Sequence, residues 1–385
     1  MSFLAWIDFD QSNGDRTHRI MDLFSEEDSR DELGIGAVRD ALSDLLFPGT
    51  STIQTRLRYM LFVPWIYRIA SREPGSGATR AGAARTHEIA LIDALERGGE
   101  TVGVIGSVAR GALKRLPSDV YWAGLGTLGI RRFQGTRSAY FELSTGEDAA
   151  GRLWASGLPE PDGRFLDTAR FRLTRDEADF VTDRLHAAAP SSLFRELARA
   201  GRPAECPSAW THPLRSEWSA GNRALVDHAE RFSGLLHGAA LLYNLMLSER
   251  AAALAGEASA WRARAEDYRA RLQRWHADLR MLPLAGWRID DLWQRCETIS
   301  YRVQPRTRRF VAEWLDRATT PGVSVADDAG GRQLVEQRER SLKGGKSRFH
   351  NAAALSRWGG ASGTEPLTYR WSAVTTHLRD LADAA

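Results

Sequence analysis

Lysine is almost missing from this chain. Lys114, Lys343 and Lys346 are the only ones among 52 basic residues, so nearly every cation is an arginine. Many lysine-dependent chemistries have nowhere to sit, and none of the three lies in a carboxylate-x-Lys nuclease arrangement. Cysteine is as scarce. Cys206 and Cys296 stand far apart in no metal-type spacing, which excludes a disulfide framework and a cysteine zinc site and fits reduced thiols in a cytosolic protein. Long apolar runs are absent too. The longest, Tyr59 to Tyr67, covers nine residues, about half of what spans a bilayer. The first residues, MSFLAWIDFDQSNGD, lack a basic start and turn acidic at Asp8 and Asp10, unlike a signal peptide. These features predict a soluble, cytoplasmic protein without membrane contact.

Familiar motifs fail at identifiable positions. LKGGKSRF ends like a phosphate-binding loop, but the required first glycine is replaced by Arg340. THEIAL offers His87 and Glu88, yet a zincin helix needs a histidine where Leu91 stands. Gly99, Gly103 and Gly106 have neither the spacing nor the strand of a dinucleotide site. No histidine is followed two residues later by lysine, so a phospholipase D-type site is excluded. His228 and His237 fall on different turns of a predicted helix and read as structural residues. The acidic run from Glu26 to Glu32 reads as a solvated lead-in to a helix near Ile35 rather than a metal site. The sequence therefore predicts no catalytic residue, no metal and no cofactor. Scattered carboxylates converging in the fold leave a metal-dependent nuclease as the alternative.

What is present is the composition of a globular protein. In 385 residues, 43% are hydrophobic and 26% charged, with a net charge of +3, and the length suits two domains. The pattern predicts a mainly α fold: a multi-helical N-terminal domain over 1–143, a linker over 144–170, a helical domain over 171–319, and a basic segment over 320–385 that packs on the rest. Ile35, Val38, Leu42, Leu45 and Leu46 have helical spacing. Residues 71–82 read as a flexible linker before a helix from about Arg85, and SAYFEL (138–143) reads as a strand. The stretch 100–133 has a helix-turn-helix-like rhythm turning at Leu116-Pro117-Ser118. Thr174 with Glu177 forms a capping-box pattern. Leu247, Ala251, Leu254, Ala258, Trp261, Ala265, Tyr268, Leu272, Trp275, Leu279 and Leu282 make a heptad seam. It predicts a long helix packed antiparallel against 222–246, with Gly256 as a possible break.

The stretch FPGTSTIQTRLRYMLFVPWIY (47–67) poses the sharpest question. Ser51 and Gln54 have capping-box spacing, and Ile53, Leu57, Met60 and Leu61 would give a core face until Pro64 kinks or ends the helix. Capping does not explain Arg56, Arg58 and Arg39, because guanidinium groups beside a helix start make an anion site. Elsewhere two regions are basic: 261–311, with twelve arginines against six acids among tryptophans, and 332–358, with seven Lys/Arg against two acids. Arginine with aromatics suits a surface that follows a phosphate backbone and stacks on bases. The same residues also suit a seam with solvated arginines, or a protein interface. The candidate phosphate contacts are Arg306, Arg308, Arg309, Lys343, Lys346 and Arg348, with Arg56 and Arg58 as outside choices.

The block DELGIGAVRDALSDLLFPGTSTIQTRLRYMLFVPWIYR, together with SLKGGKSRF and WGGASGTEPLTYRW, resembles a bacterial family of unknown function along the whole chain. The resemblance carries no catalytic residues. It implies genes beside helicases and phospholipase D-like nucleases in phage-defence clusters. The expected function is a non-catalytic subunit of such a complex that binds DNA, holds a helicase or nuclease partner, or does both.

Overall fold

The computed structural model describes residues 31–144, 149–255, 260–322 and 324–384. In chain order the α-helices longer than four residues are α1 (Gly36–Leu46), α2 (Tyr59–Ser71), α3 (Gly77–Arg97), α4 (Pro117–Thr127), α5 (Arg137–Leu143), α6 (Arg175–Ala188) and α7 (Leu193–Ala200). They continue as α8 (Ala220–Ala255), α9 (Ala260–Leu279), α10 (Ile289–Thr298), α11 (Pro305–Thr319), α12 (Ala329–Lys343), α13 (Ala352–Ser356) and α14 (Trp371–Ala382). Among the described residues the only β pairing is one antiparallel bridge between Arg131 and Trp154. The fold is mainly α.

The chain forms two compact units that are not consecutive blocks. One holds Asp44–Trp218 and Arg370–Ala385; the other holds 31–43 and Ser219–Tyr369. This differs from the division expected from composition. Residues 370–382 belong with the N-terminal elements, and the stretch read as a 144–170 linker buries Trp154, Leu158 and Phe165.

In the first unit α2 is the core helix, buried from Tyr59 to Tyr67. Its rings pack edge-on and tilted: Tyr67 against Tyr140 at 5.2 Å, Tyr59 against Tyr121 at 5.3 Å, Trp65 against Phe165 at 5.5 Å. Pro64 neither ends nor begins this helix, which runs on to Ser71. A proline there removes one hydrogen bond, to Met60, and the aromatic packing outweighs it. Several local expectations are corrected. α3 starts at Gly77, capped by Ser76 accepting from the Thr79 N–H at 3.2 Å, so half of the expected 71–82 linker is helix. The SAYFEL stretch is helix α5, capped by Thr136; its buried Tyr140 and Phe141 are adjacent, which a one-faced strand would not allow. Residues 101–116 hold only a one-turn 3-10 helix, Arg110–Ala112. Gly99, Gly103 and Gly106 at φ +85, +87 and +90 interrupt any α-helix there, so no helix-turn-helix forms. The Thr174–Glu177 capping box is present at α6.

In the second unit α8 and α9 carry the heptad seam. Leu247, Tyr268, Leu272, Trp275 and Leu279 are buried. The seam is not one continuous helix: it divides between α8 and α9, and Leu254, near the end of α8, is 66% exposed. Ala258 and Gly256 lie outside the described residues. Small residues let the helices approach. A Cβ on Gly238 would meet the Trp275 ring at 2.1 Å, and the Trp275 indole N–H donates to the Gly234 carbonyl at 2.6 Å.

Candidate nucleic-acid interface

Helices α11 and α12 form an antiparallel hairpin in the second unit. At its loop end Arg317 reaches Asp328, 3.2 Å apart, and Asp328 caps α12 by accepting the Gly330 and Gly331 N–H groups. Towards the other end Arg338 crosses back to Thr307, its Nη2 donating to Oγ1 at 2.8 Å, and its guanidinium lies over the Phe310 ring at 5.3 Å. Pairing 317 with 328 and 307 with 338 places the start of α11 beside the finish of α12. That open end gathers Arg302, Arg306 and Arg309 from one side and Arg340 and Lys346 from the other. All are exposed, and none makes an ion pair among the described residues. The acids nearby are mostly engaged. Asp31 caps α1 by accepting the Ile35 and Gly36 N–H groups at 2.7 and 2.6 Å, and Glu336 faces His350 at 3.0 Å.

The remaining candidates in this unit are committed internally. Arg308 pairs with Glu297, donates to the Val303 carbonyl at 3.2 Å and lies over Trp293. Lys343 pairs with Glu32 and stands 3.6 Å from Glu339. Arg348 is 6% exposed. Its Nη1 donates to Glu32 Oε1 at 2.8 Å, to the Tyr243 hydroxyl at 2.9 Å and to Ser362 Oγ at 3.2 Å, while its backbone N–H donates to Glu339 Oε1 at 2.9 Å. Burial pushes the Tyr243 hydroxyl well above the ordinary tyrosine range despite Arg348, so it remains a neutral acceptor. Arg338 holds residues 33–34 by donating to the Leu33 and Gly34 carbonyls at 2.8 and 3.0 Å, and burial lowers its guanidinium from the ordinary value. Lys343, Arg348 and Arg338 therefore tie residues 32–34 into this unit. Lys343 and Arg348 were expected to meet phosphate; the carboxylates of Glu32 and Glu339 already hold them.

The first unit answers the question posed by 47–67. Ser51 caps no helix, its Oγ has no partner, and Gln54 turns inward so that Nε2 donates to the Gly49 carbonyl at 3.2 Å. Helix α2 begins only at Tyr59 because tertiary partners hold the loop open. The Tyr121 hydroxyl accepts from the Thr55 and Arg56 N–H groups at 2.9 and 3.1 Å and donates to the Arg56 carbonyl at 2.7 Å. An anion does lie at the helix start, and the chain supplies it. Asp380 of α14 accepts the Leu57 N–H at 2.7 Å and takes Arg56 through Nε and Nη2 at 2.9 and 2.7 Å. Arg56 also stacks over Phe171 at 4.6 Å. Arg58 pairs with Glu177 at 2.6 Å and donates to the Arg170 carbonyl at 2.8 Å; Arg39, which belongs to the second unit, pairs with its neighbour Asp40. Burial pushes the Asp380 carboxyl up, opposed by Arg56 and the Leu57 N–H.

Buried titratable groups that no motif announced complete the picture. Glu88 of α3 accepts the Ser118 N–H at 2.7 Å and its hydroxyl at 2.9 Å, binding the first turn of α4; burial pushes its carboxyl up to about 7. His377 of α14 is fully buried with neither ring nitrogen hydrogen-bonded, and burial, then Arg56, pushes it down to about 3. Burial likewise pushes the Cys296 thiol up to about 12; both cysteines are free. Among the described residues no group of three or more His, Cys, Asp or Glu is placed to hold a metal ion, and no helix is long and apolar enough to cross a membrane.

These features define a mainly helical protein of two units, one of which exposes arginines at the open end of a helical hairpin. The chain belongs to a family of unknown function, DUF6361, whose model matches residues 1–385. No curated protein and no solved structure matches it.

Proposed function

We propose that this chain is a DNA-binding subunit that contacts the phosphate backbone through the open end of the α11–α12 hairpin. The observation that carries the reading is the group Arg302, Arg306, Arg309, Arg340 and Lys346, exposed and, among the described residues, without ion pairs while neighbouring cations are held inside. Guanidinium groups that give up no internal partner can release DNA counterions at little internal cost. Of the original candidates, Arg306, Arg309 and Lys346 keep the role of phosphate contact; Arg308, Lys343, Arg348, Arg56 and Arg58 act in the fold.

The resemblance in sequence supports a further step: the subunit serves an anti-phage defence complex beside a helicase or a phospholipase D-like nuclease that does the chemistry. Electrophoretic mobility shift on duplex DNA tests the binding step. Arg306→Glu with Arg309→Glu should abolish the shift while circular dichroism stays that of the parent chain. An undiminished shift removes the hairpin end as the site. Co-purification of the chain with the products of adjacent genes tests the second step.

A further inference from the structure

Trp261 is the aromatic at the start of α9, at the end of the seam where Leu254 is also exposed. Tyr268, Leu272 and Trp275 are buried, whereas Trp261 stays part-exposed. It stacks on Trp358, which follows α13, with ring centroids 5.4 Å apart and planes 17° from parallel. Trp358 is the buried member, 3% exposed, and its indole N–H donates to Ser362 Oγ at 3.2 Å. Exposed Arg264 places its guanidinium 5.5 Å from the Trp261 ring centroid. Exposed Arg357 precedes Trp358 in the chain and makes no ion pair among the described residues. Ser362 Oγ also accepts from Arg348, whose neighbours lead to Lys343 and the Gly344–Lys346 turn. The stacked pair and the basic hairpin end are therefore joined through Arg348 and Ser362 in one unit.

We infer that Trp261, backed by Trp358, is a stacking platform for a base of single-stranded nucleic acid, with Arg264 and Arg357 meeting the adjoining phosphates. A buried indole behind the outer one keeps its plane fixed, so little freedom is lost when a base settles on it. Every base has a π-face, so such a platform binds without sequence preference, and arginine beside the ring adds attraction for the backbone. Arg264 over the ring and exposed Arg357 next to Trp358 in the chain favour a nucleic acid over an apolar partner. The inference rests on the DNA-binding reading but names a different substrate form and a different contact.

The test uses the full chain and a short oligothymidylate carrying 5-iodouracil, which crosslinks to the aromatic ring it stacks on, together with an unmodified duplex. Irradiation and peptide mapping should place the crosslink on Trp261. Trp261→Ala should weaken oligothymidylate binding by about five- to a hundredfold and leave duplex binding unchanged, because a paired base offers the ring no free face. Crosslinks that map elsewhere, or a Trp261→Ala chain that binds oligothymidylate as before, overturn the platform. Equal loss for single strand and duplex also overturns it, since a stacking contact would not act on a paired base. Duplex binding without any oligothymidylate binding sinks this inference alone; no binding to either sinks the DNA-binding reading as well.

Discussion

The Arg56 guanidinium and the Asp380 carboxylate, 324 positions apart in sequence, meet at 2.7 to 3.2 Å at the start of α2. Asp380 does two jobs there. It neutralises an arginine whose side chain is 24% exposed, and it accepts the Leu57 N–H that no capping side chain takes. Asp380→Ala leaves both unpaired and should cost about 3 kcal/mol of stability in urea unfolding. Asp380→Asn keeps an acceptor for Leu57 and should cost clearly less. Equal losses for the two variants would mean that the helix-start hydrogen bond contributes nothing.

Glu88 gives the first unit a pH dependence of definite sign. Its carboxyl lies at about 7 in the folded chain against an ordinary value of 4.5. The native state therefore holds this proton more tightly than the unfolded chain does. Stability from this group is fullest below pH 4.5, falls as pH rises towards 7, and changes no further above that. Glu88→Gln should remove the decline, and the parent-minus-variant difference should amount to about 3 kcal/mol at most. Urea unfolding of both chains at pH 5 and pH 7.5 measures it. A difference that grows in the opposite direction would show Glu88 ionised below its ordinary range.

At Gly238 two effects compete. Replacing a helical glycine by alanine ordinarily stabilises by about 1 kcal/mol. Here the new Cβ would lie 2.1 Å from the Trp275 ring, which is itself stacked at 6.1 Å on Trp314 and anchored to the Gly234 carbonyl. A rigid anchored ring cannot step aside, so overpacking should win, with a net loss of about 2 kcal/mol. A more stable Gly238→Ala chain in thermal unfolding would show that α8 and α9 separate there freely.

Arg348 and Arg306 carry the same charge and should fail differently. Arg348→Ala leaves Glu32 with Lys343 alone and empties three hydrogen bonds, costing about 3 kcal/mol. Arg306 pairs with no carboxylate among the described residues, and Arg306→Ala should leave stability within about 0.5 kcal/mol of the parent. Chemical denaturation of the two variants side by side checks the pair. Matching losses would place Arg306 in the internal network.

Sequence periodicity made the helical fold and the buried face of the seam readable, because a 3.6-residue repeat needs only neighbours to declare itself. Thr174 and Glu177 were readable for the same reason. The loop from Ser51 to Arg58 was not. Its conformation depends on Tyr121 and Asp380, and no local pattern announces hydrogen bonds across 66 and 323 positions. The basic regions were visible as composition, but composition does not say which cation has a carboxylate. Glu32 claims Arg348 across 316 positions, and Glu297 claims Arg308 across eleven, while Arg306 and Arg309 next to them stay open. Trp261 and Trp358 both appeared as tryptophans; that they stack required the fold.

The most direct measurement is the salt dependence of duplex DNA binding by fluorescence anisotropy, for the parent chain and for Arg306→Ala, Arg309→Ala, Lys346→Ala combined. Each cation that meets a phosphate contributes about 0.9 to the slope of log affinity against log salt. The parent should bind with a steep slope, and the triple variant should lose about 2.7 units of it. A parent chain with a flat slope, or a triple variant whose slope equals the parent's, would contradict the assignment of the hairpin's open end to DNA.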